Sequence, residues 1–317
     1  MNFDNISTDD VILITGANGG LGNALVVALK RKGFVNLLTP SRYELDLLNK
    51  IDVDIFFSKN KPTVVLHLAS VVFGLLGNLE NQMRSLTENT LINSNLFSAI
   101  DSHPVKYVFF AGTVAAYAYP YIKMPLSEAD FFLGLPHSGE FGYAMSKRHA
   151  YAYLSVLQTT KKIRSTYGIF TNLYGENDRF NDTTGHVIPS LIMKAYHASQ
   201  TCEVFNVWGD GLAERDFLHF DDAAAAIILC MLSKQTPSLV NISSGIAVSI
   251  KRLSNLIALE ANVKQVEFLS DKPVGIKSRV VDNSVLKSLG FEQSISLEDG
   301  IKRLYAWYLK NNNEVRS

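Results

Sequence analysis

The chain has 317 residues, of which 47% are hydrophobic, and this is enough for one large domain or two closely packed lobes. Its 30 basic and 30 acidic residues cancel without a basic run or an acidic tail, which argues against a nucleic-acid partner and against a membrane surface. The first ten residues are polar and acidic where a signal peptide is basic and then apolar, and no apolar run reaches the length of a membrane span, so we expect a cytoplasmic protein.

The cysteines form no recognisable pattern. Neither Cys202 nor Cys230 belongs to a CxxC pair or lies beside a histidine at the spacing of metal ligands. The sequence therefore predicts neither a disulfide framework nor a metal site, and we expect both thiols to be reduced and structural.

The N-terminal half alternates apolar runs with helical patterns. Strands are predicted over 11–15, 34–39, 63–70 and 106–112, with helical spacing after the first run as far as Gly33 and again from about 82 to 102. Because these strands are apolar throughout and alternate with helices, we expect an α/β protein with a parallel sheet covered on both faces, the doubly wound Rossmann arrangement.

The pattern changes after Gly112. Prolines, glycines and aromatic residues continue to Gly142, followed by a predicted helix from about 143 to 159 and a strand over 165–172. Later segments are shorter, and the polar stretch NDRFNDTTG marks a soft boundary near 175–185. We expect a dinucleotide-binding domain over 1–175, and over 176–317 mainly a smaller substrate lobe that returns some segments to the sheet.

Gly16, Gly19 and Gly22 form a GxxGxxG pattern directly after the first strand. Glycines there let the backbone approach a pyrophosphate, whose charge is stabilised by the amides at the start of the following helix. Three glycines near a helix start can also make nothing more than a tight turn. Their position between a clear strand and a clear helix favours the dinucleotide site.

The end of the second strand reads Thr39, Pro40, Ser41 and Arg42, without the acid that would accept from a free ribose hydroxyl. Arg42 is either a solvated surface charge or the partner of a 2′-phosphate, and on this basis NADPH is favoured over NADH. The predicted cofactor-binding residues are Gly16, Asn18, Gly19, Gly20, Leu21, Gly22, Arg42, Asp46, Leu47, Ala69 and Lys147.

Tyr143 and Lys147 form a YxxxK pattern, which places both side chains on one face of a helix. A nearby ammonium favours the phenolate and would lower a phenol pKa that is ordinarily ~10, so that the tyrosine could exchange protons at neutral pH. Alone, such a pair is usually one face of an amphipathic helix. Thr113, however, follows the fourth strand at the sheet edge that hosts ligands in doubly wound folds. The glycine turn, strand-end hydroxyl and YxxxK, in this order, are the signature of the extended short-chain dehydrogenases.

Further segments resemble the GDP-L-fucose synthase family within that group, which epimerises and then reduces a GDP-4-keto-6-deoxymannose. They occur in the family's order: RYELDLL (42–48), TNLYG (171–175), HVIPSLIMK (186–194), VWGDG (207–211), RDFLHFDDAA (215–224) and SDKPVGIKSRVVD (270–282). The resemblance implies an NADPH-dependent enzyme that acts on a GDP-linked sugar, and a homodimer is common in such folds.

Carried over to this chain, the resemblance implies that Thr113, Tyr143 and Lys147 are the reductase triad, with threonine where the family usually has serine. It implies that the nucleotide-sugar site is lined by Asn172, His186, Lys194, Trp208, Arg215 and Arg279. Lys194 and Arg279 stand where the family often has arginine and lysine, so the charges are retained while the hydrogen-bonding geometry differs.

His186 matches the family's epimerisation acid, which works opposite a cysteine base two residues after the strand-end hydroxyl. That position is Ala115 in this chain, and Val114 replaces a second hydroxyl of the family. Because alanine cannot remove a proton, the sequence favours reduction of a C4 keto group without 3,5-epimerisation. His186 could also cap a helix, pack, or bind the sugar without acid–base work.

Several alternatives remain open from the sequence. The chain could be a bifunctional epimerase and reductase, an epimerase or dehydratase that retains its cofactor, or a non-catalytic NADP-binding protein on the same fold. We expect His67 to be a packed histidine, whereas Tyr117 and Trp208 could be either core or sugar-facing aromatic residues.

Overall fold

The computed structural model describes residues 6–73, 75–181, 185–270 and 275–315. The strands are β1 (Ile12–Thr15), β2 (Leu37–Leu38), β3 (Val64–His67), β4 (Tyr107–Thr113), β5 (Arg164–Phe170), β6 (Asn172–Tyr174), β7 (Phe205–Trp208), β8 (Glu214–Arg215), β9 (Phe217–His219), β10 (Leu239–Ile242), β11 (Val248–Ser249), β12 (Val266–Leu269) and β13 (Ser278–Arg279). The helices are α1 (Gly20–Arg31), α2 (Lys50–Asn60), α3 (Leu75–Glu80), α4 (Gln82–Ser102), α5 (Phe141–Lys161), α6 (Val187–Thr201), α7 (Phe220–Leu232), α8 (Ile250–Glu260), α9 (Ser284–Ser288) and α10 (Leu297–Asn311).

A six-stranded sheet in the order β10-β5-β4-β3-β1-β2 forms the centre of the molecule. Each neighbouring pair is parallel. The predicted doubly wound parallel sheet is therefore confirmed, and its strands are buried because helices cover both faces.

Two predicted strands differ from the observed ones. The run 34–39 contributes only Leu37–Leu38, because Phe34 turns into the core and its N–H closes the end of α1 on the Leu29 carbonyl. The run 165–172 is interrupted after Phe170, and Asn172–Tyr174 pairs with β9 in a separate two-stranded sheet. The sequence does not predict this break because no proline or turn motif stands between Phe170 and Asn172.

Three apolar clusters make up the core. One lies between the sheet and α2, α4 and α5, and the second lies on the opposite face against α1 and α7. The third joins α6, α8 and α10 with β7. The second cluster contains Leu218, Ile227, Val240 and Ile242, so segments from the second half of the chain complete one face of the sheet.

A long connecting segment joins β4 to α5 over the C-terminal edge of the sheet. It begins with a 3₁₀ turn at Val114–Ala116 and is held by Asn241 of β10. The Tyr117 hydroxyl donates to Asn241 Oδ1 at 2.7 Å, the Asn241 amide nitrogen donates to the Leu126 carbonyl at 3.2 Å, and the Glu128 carboxylate accepts from the Asn241 N–H at 2.8 Å. These contacts hold the connecting segment on the sheet before α5 begins. In the described part of the chain, no helix is long and apolar enough to cross a membrane.

Candidate active site

The glycine turn between β1 and α1 is shaped by close backbone contacts. Gly16 has a φ of +73°, and a Cβ atom there would lie 2.9 Å from the Ala69 nitrogen. A Cβ atom on Gly22 would lie 2.2 Å from the Gly16 carbonyl oxygen, so α1 can approach the turn only with glycine at this position. Gly20 instead faces the Phe220 ring of α7, 2.2 Å from the place of a Cβ atom. Its missing side chain therefore serves helix packing.

The residues of this turn fit a dinucleotide pyrophosphate. Gly19 precedes α1, and among the described residues no side chain caps the helix start and no acid stands in its first turn. Its N–H groups and positive dipole end are therefore left for an anion. Asn18 is exposed, and Gly19, Gly20 and Leu21 are partly exposed at the same end of the helix. Ala69 lies across the turn, with its N–H 3.2 Å from the Thr15 hydroxyl.

Arg42 follows β2 and its side chain is 73% exposed, with Nε 4.0 Å from Asp46 Oδ1. Asp46 also accepts from the Leu48 N–H at 3.1 Å, which fixes the turn after β2. The Leu47 side chain lies in the core, and its carbonyl accepts from the Asn95 amide at 2.9 Å. Arg42 is thus an accessible cation beside the strand end, whereas Leu47 could offer a ligand only backbone atoms.

The Thr113, Tyr143 and Lys147 side chains come together where β4 ends against α5. The Thr113 hydroxyl interacts with the Tyr143 phenol and accepts from the Ala115 N–H at 3.2 Å. Lys147 Nζ donates to the Ala111 carbonyl at 2.8 Å and lies 5.6 Å from the centre of the Tyr143 ring. The cluster therefore joins a hydroxyl, a phenol and an ammonium at the ligand-binding edge of the sheet.

The expected effect of Lys147 on Tyr143 is wrong for this arrangement. Burial, and then the negative charge of Glu140, raise the pKa of Tyr143 above its ordinary value, although the Thr113 hydrogen bond acts in the opposite direction. Burial also lowers the pKa of Lys147 to about 7. The lysine points to the Ala111 carbonyl rather than to the phenolic oxygen, so the tyrosine is a protonated donor at neutral pH.

His186 stands immediately before α6 with a half-exposed side chain. Its Nδ1 lies 3.1 Å from the buried carboxylate of Asp178, and this hydrogen bond, opposed by burial, raises the pKa of His186. Its side chain makes no capping hydrogen bond to α6, which removes the capping alternative among the described residues. Ala115 is 5% exposed at the end of β4 and has no group that could accept a proton.

The cations assigned to the nucleotide-sugar site differ in their surroundings. Lys194 Nζ lies 4.5 Å from the centre of the exposed Trp208 ring. Arg215 and Arg279 are opposite each other in the parallel pair of β8 and β13. Arg279 is buried and bound by Glu140, and Arg215 is partly exposed, with a pKa lowered to about 10 by burial and by the charge of Arg279. Arg279 is therefore already paired within the protein.

Asn172 is held at the junction of β5 and β6. Its amide nitrogen donates to the Asp216 carbonyl at 3.1 Å, while the Asp216 carboxylate accepts from the Thr171 hydroxyl and from the Ser244 and Gly245 N–H groups. Asp216 is fully buried and stands next to Arg215, so it fixes the backbone on which both predicted ligand residues stand.

Sequence reasoning missed Glu140, Tyr121, Asp178 and Asp216. Glu140 precedes Tyr143 by three residues, but its partner Arg279 comes from the far end of the chain, and no local spacing indicates that contact. Asp178 stands in a turn-rich stretch that gave only a boundary signal. Asp216 stands between Arg215 and the apolar pair Phe217 and Leu218, and the sequence there does not show that its carboxylate is buried.

Burial distinguishes core residues from surface residues among the histidine, the two aromatic residues and the cysteines that the sequence left undecided. His67 is 1% exposed, its Nδ1 lies 2.6 Å from the Thr15 hydroxyl, and burial lowers its pKa to about 3, so it is the expected packed and neutral histidine. Tyr117 belongs to the core, whereas Trp208 is exposed. Both cysteines are free thiols: Cys230 is buried, as expected of a structural residue, but Cys202 is exposed after α6. Residues 182–184 of the boundary stretch and 271–274 of the C-terminal segment lie outside the described residues.

The parallel sheet, the glycine turn and the strand-end cluster of hydroxyl, phenol and ammonium define an enzyme fold of the short-chain dehydrogenase type. The sequence profile of the NAD dependent epimerase/dehydratase family matches residues 12–243, and the chain belongs to this family.

The chain is similar to three proteins whose names give activities on GDP-linked sugars. The chain is similar to "Putative GDP-L-fucose synthase 2" of Arabidopsis thaliana, with 32% identity over 95% of this chain and 92% of the relative. It is 30% identical to GDP-L-colitose synthase of Yersinia pseudotuberculosis over 95% of this chain and 99% of that protein. Among solved structures, MlghC, the GDP-mannoheptose C4 reductase from Campylobacter jejuni with NADP bound, superposes with a TM-score of 0.84 at 28% identity and covers 96% of this chain and 99% of its own.

Proposed function

We propose that the chain is an NADPH-dependent oxidoreductase that reduces the C4 keto group of a GDP-linked 4-keto-6-deoxy sugar, hexose or heptose, without 3,5-epimerisation. The observation that carries the proposal is the Thr113, Tyr143 and Lys147 cluster, complete beside an alanine in the place of the epimerisation base. The named activities of the three relatives support a GDP-sugar substrate.

The cofactor when bound supplies the hydride for the C4 carbon. Tyr143, kept protonated by its raised pKa, donates its phenolic proton to the C4 oxygen, so that the carbonyl becomes a hydroxyl. The Thr113 hydroxyl, which accepts from the Ala115 N–H, would donate a hydrogen bond to the same oxygen. Lys147 lies beside the ring, with its nitrogen on the Ala111 carbonyl, where it would help to hold the cofactor next to the tyrosine.

The cofactor would be held by the start of α1 and by Arg42. The helix end offers N–H groups to the pyrophosphate, and the exposed guanidinium of Arg42 is suited to a 2′-phosphate. Asn172, His186, Lys194, Trp208 and Arg215 are the proposed contacts of the nucleotide sugar. A homodimer and a cytoplasmic location stay predictions, and sedimentation equilibrium of the purified chain tests the first.

The proposal is tested by NADPH oxidation with a panel of GDP-4-keto-6-deoxy hexoses and heptoses, run in parallel in deuterated water. We expect cofactor oxidation and a product without solvent deuterium at C3 or C5. Deuterium at either carbon would identify a bifunctional epimerase and reductase, in which the His186 and Asp178 pair works without a cysteine. Binding of NADPH without oxidation by any sugar of the panel would indicate the non-catalytic alternative.

A further inference from the structure

Two arginines lie side by side in the proposed nucleotide-sugar site, and one carboxylate meets them. Arg279 Nη1 and Nη2 contact the two oxygens of Glu140 at 3.2 and 2.5 Å, and Arg279 Nε donates to the Tyr121 hydroxyl at 2.7 Å. The side chains of Arg279 and Glu140 are 10% and 11% exposed. This is a bidentate, desolvated pair whose third contact fixes the plane of the guanidinium.

The charges of this group do not balance. Glu140 neutralises Arg279, but Arg215 makes no ion pair within the described ranges and donates from Nη1 only to the Glu214 carbonyl at 2.7 Å. Burial and the neighbouring charge of Arg279 lower the pKa of Arg215 to about 10, and the charges of Tyr121 and Glu140 offset this effect only in part. One net positive charge is therefore left on the side of Arg215.

The pair also joins two distant parts of the chain. Glu140 precedes α5, which carries Tyr143 and Lys147, whereas Arg279 belongs to β13 near the C-terminal end. Leu126 and Val281 form a further bridge beside it, with the Leu126 N–H on the Val280 carbonyl at 2.9 Å. The position of the guanidinium is thus set from both sides, and a buried pair held so firmly is poorly suited to exchange Glu140 for a ligand.

From these contacts we propose that Arg279 is a positioning residue whose positive charge is balanced by Glu140, and that Arg215 is the cation left to bind a phosphate of the ligand. The inference rests on the proposed function, which supplies the diphosphate. It revises the assignment implied by the family resemblance, in which both arginines are ligand cations. It also makes Glu140 part of the site, because this carboxylate balances the charge of Arg279 and leaves that of Arg215 for the ligand.

The proposal predicts a rescue between two substitutions. Arg279→Met leaves the Glu140 carboxylate unpaired beside Arg215, so affinity for a diphosphate should fall by about tenfold. Adding Glu140→Gln removes that carboxylate, and the double variant should return to within about twofold of the wild type. Arg215→Met should lower the affinity for a diphosphate by about tenfold or more, both in the wild type and in the double variant, because a charge-assisted contact to the ligand is removed.

The experiment is calorimetric titration of the full chain, saturated with NADPH, with GDP and separately with inorganic pyrophosphate. Thermal unfolding of each variant checks that it folds. Arg252→Met is the matched control, because Arg252 is an exposed arginine that is likewise paired with a glutamate, Glu298. The affinity of this variant for GDP and for pyrophosphate should equal that of the wild type. If the double variant is unstable, Arg279→Lys replaces it: the charge beside Glu140 is kept, so affinity should stay within about twofold.

Affinity of the double variant as low as that of Arg279→Met would overturn the proposal, because Arg279 would then contact the ligand itself. A tenfold loss in Arg279→Lys would have the same meaning. If the wild type binds pyrophosphate but not GDP, the guanosine part of the proposed function is contradicted. The rescue can then still be measured with pyrophosphate, so the two proposals are tested separately. Binding of neither probe by the wild type would overturn both proposals.

Discussion

Lys147 keeps its ammonium group inside the protein, on the Ala111 carbonyl and 4.9 Å from the centre of the Phe110 ring. Burial lowers the pKa of Lys147 to about 7, from an ordinary value of 10.5. Between these two pH values the unfolded chain binds more protons at this residue than the folded chain, so the stability of the fold rises with pH.

We therefore expect the free energy of unfolding of the wild type, relative to Lys147→Met, to increase by about 3 kcal/mol from pH 7 to about pH 9.5. Urea unfolding followed by circular dichroism measures this difference. The exposed Lys302→Met on α10 is the control, and its difference from the wild type should change little with pH. If the difference in free energy of unfolding between the wild type and Lys147→Met also did not change with pH, the lowered pKa of Lys147 would be contradicted.

Tyr143 is proposed as the proton donor, and its substitution by phenylalanine removes only the hydroxyl. Turnover should fall by ~10²–10⁴, the usual loss when a positioned acid is removed. The affinity for NADPH, measured by quenching of protein fluorescence, should stay nearly unchanged because the glycine turn and Arg42 are intact. Turnover equal to that of the wild type would exclude Tyr143 as the donor.

The sequence predicted the members of the catalytic cluster, because Thr113 follows a strand and YxxxK defines one helix face. It did not predict the direction of the Tyr143 pKa. That direction depends on burial and on Glu140, whose orientation is set by Arg279, 139 residues away along the chain. Local spacing places functional groups, whereas their protonation depends on contacts made by the whole fold.

At the scale of elements, α1 lies close against the glycine turn. Gly22→Ala would place a methyl group 2.2 Å from the Gly16 carbonyl, so the helix must shift away from the turn. We expect a loss of about 1–3 kcal/mol in stability and a marked loss of NADPH affinity, because the N–H groups at the helix start move with it.

Chemical denaturation and NADPH titration of the variant measure both effects. Gly134→Ala serves as the control, since a Cβ atom there would meet its nearest neighbour, the Ala118 side chain, at an ordinary 3.5 Å. That variant should bind NADPH as the wild type does. Unchanged NADPH binding in Gly22→Ala would show that the turn tolerates displacement and would weaken its assignment to the pyrophosphate.

Elements with a strong local pattern were predicted closely, and those fixed by tertiary contacts were not. The helix predicted from about 82 to 102 is α4 (Gln82–Ser102), because its apolar spacing continues over its whole length. The end of β5 was missed because it depends on Asp216, which binds Thr171 from a different part of the chain. Asp216 has no periodic signature, so no sequence pattern could reveal this break.

For the whole molecule, the division into a dinucleotide-binding domain over 1–175 and a substrate lobe over 176–317 stays a proposal. Within the sheet, β10 pairs with β5, and α7 packs on α1. Leu286 and Phe291 fill the same apolar layer. A fragment of residues 1–175 would therefore lack an edge strand and the part of the cover of one sheet face that α7 provides.

We expect that fragment to expose an apolar surface and to lack a cooperative unfolding transition. Binding of the dye ANS together with urea unfolding measures these properties, and the full chain is the control. A cooperative transition in the fragment would show that the first 175 residues form a complete domain and that the later segments only decorate it.

The return of β10 to the central sheet sets the order in which the fold can be completed during synthesis. The edge strand β10 can pair with β5 only after Ile242 has left the ribosome. By then more than two thirds of the 317 residues have been made. Until that moment the outer edge of β5 offers unpaired N–H and carbonyl groups. We therefore expect a nascent chain of this protein to be open to chaperones in the interval between the synthesis of β5 and that of β10.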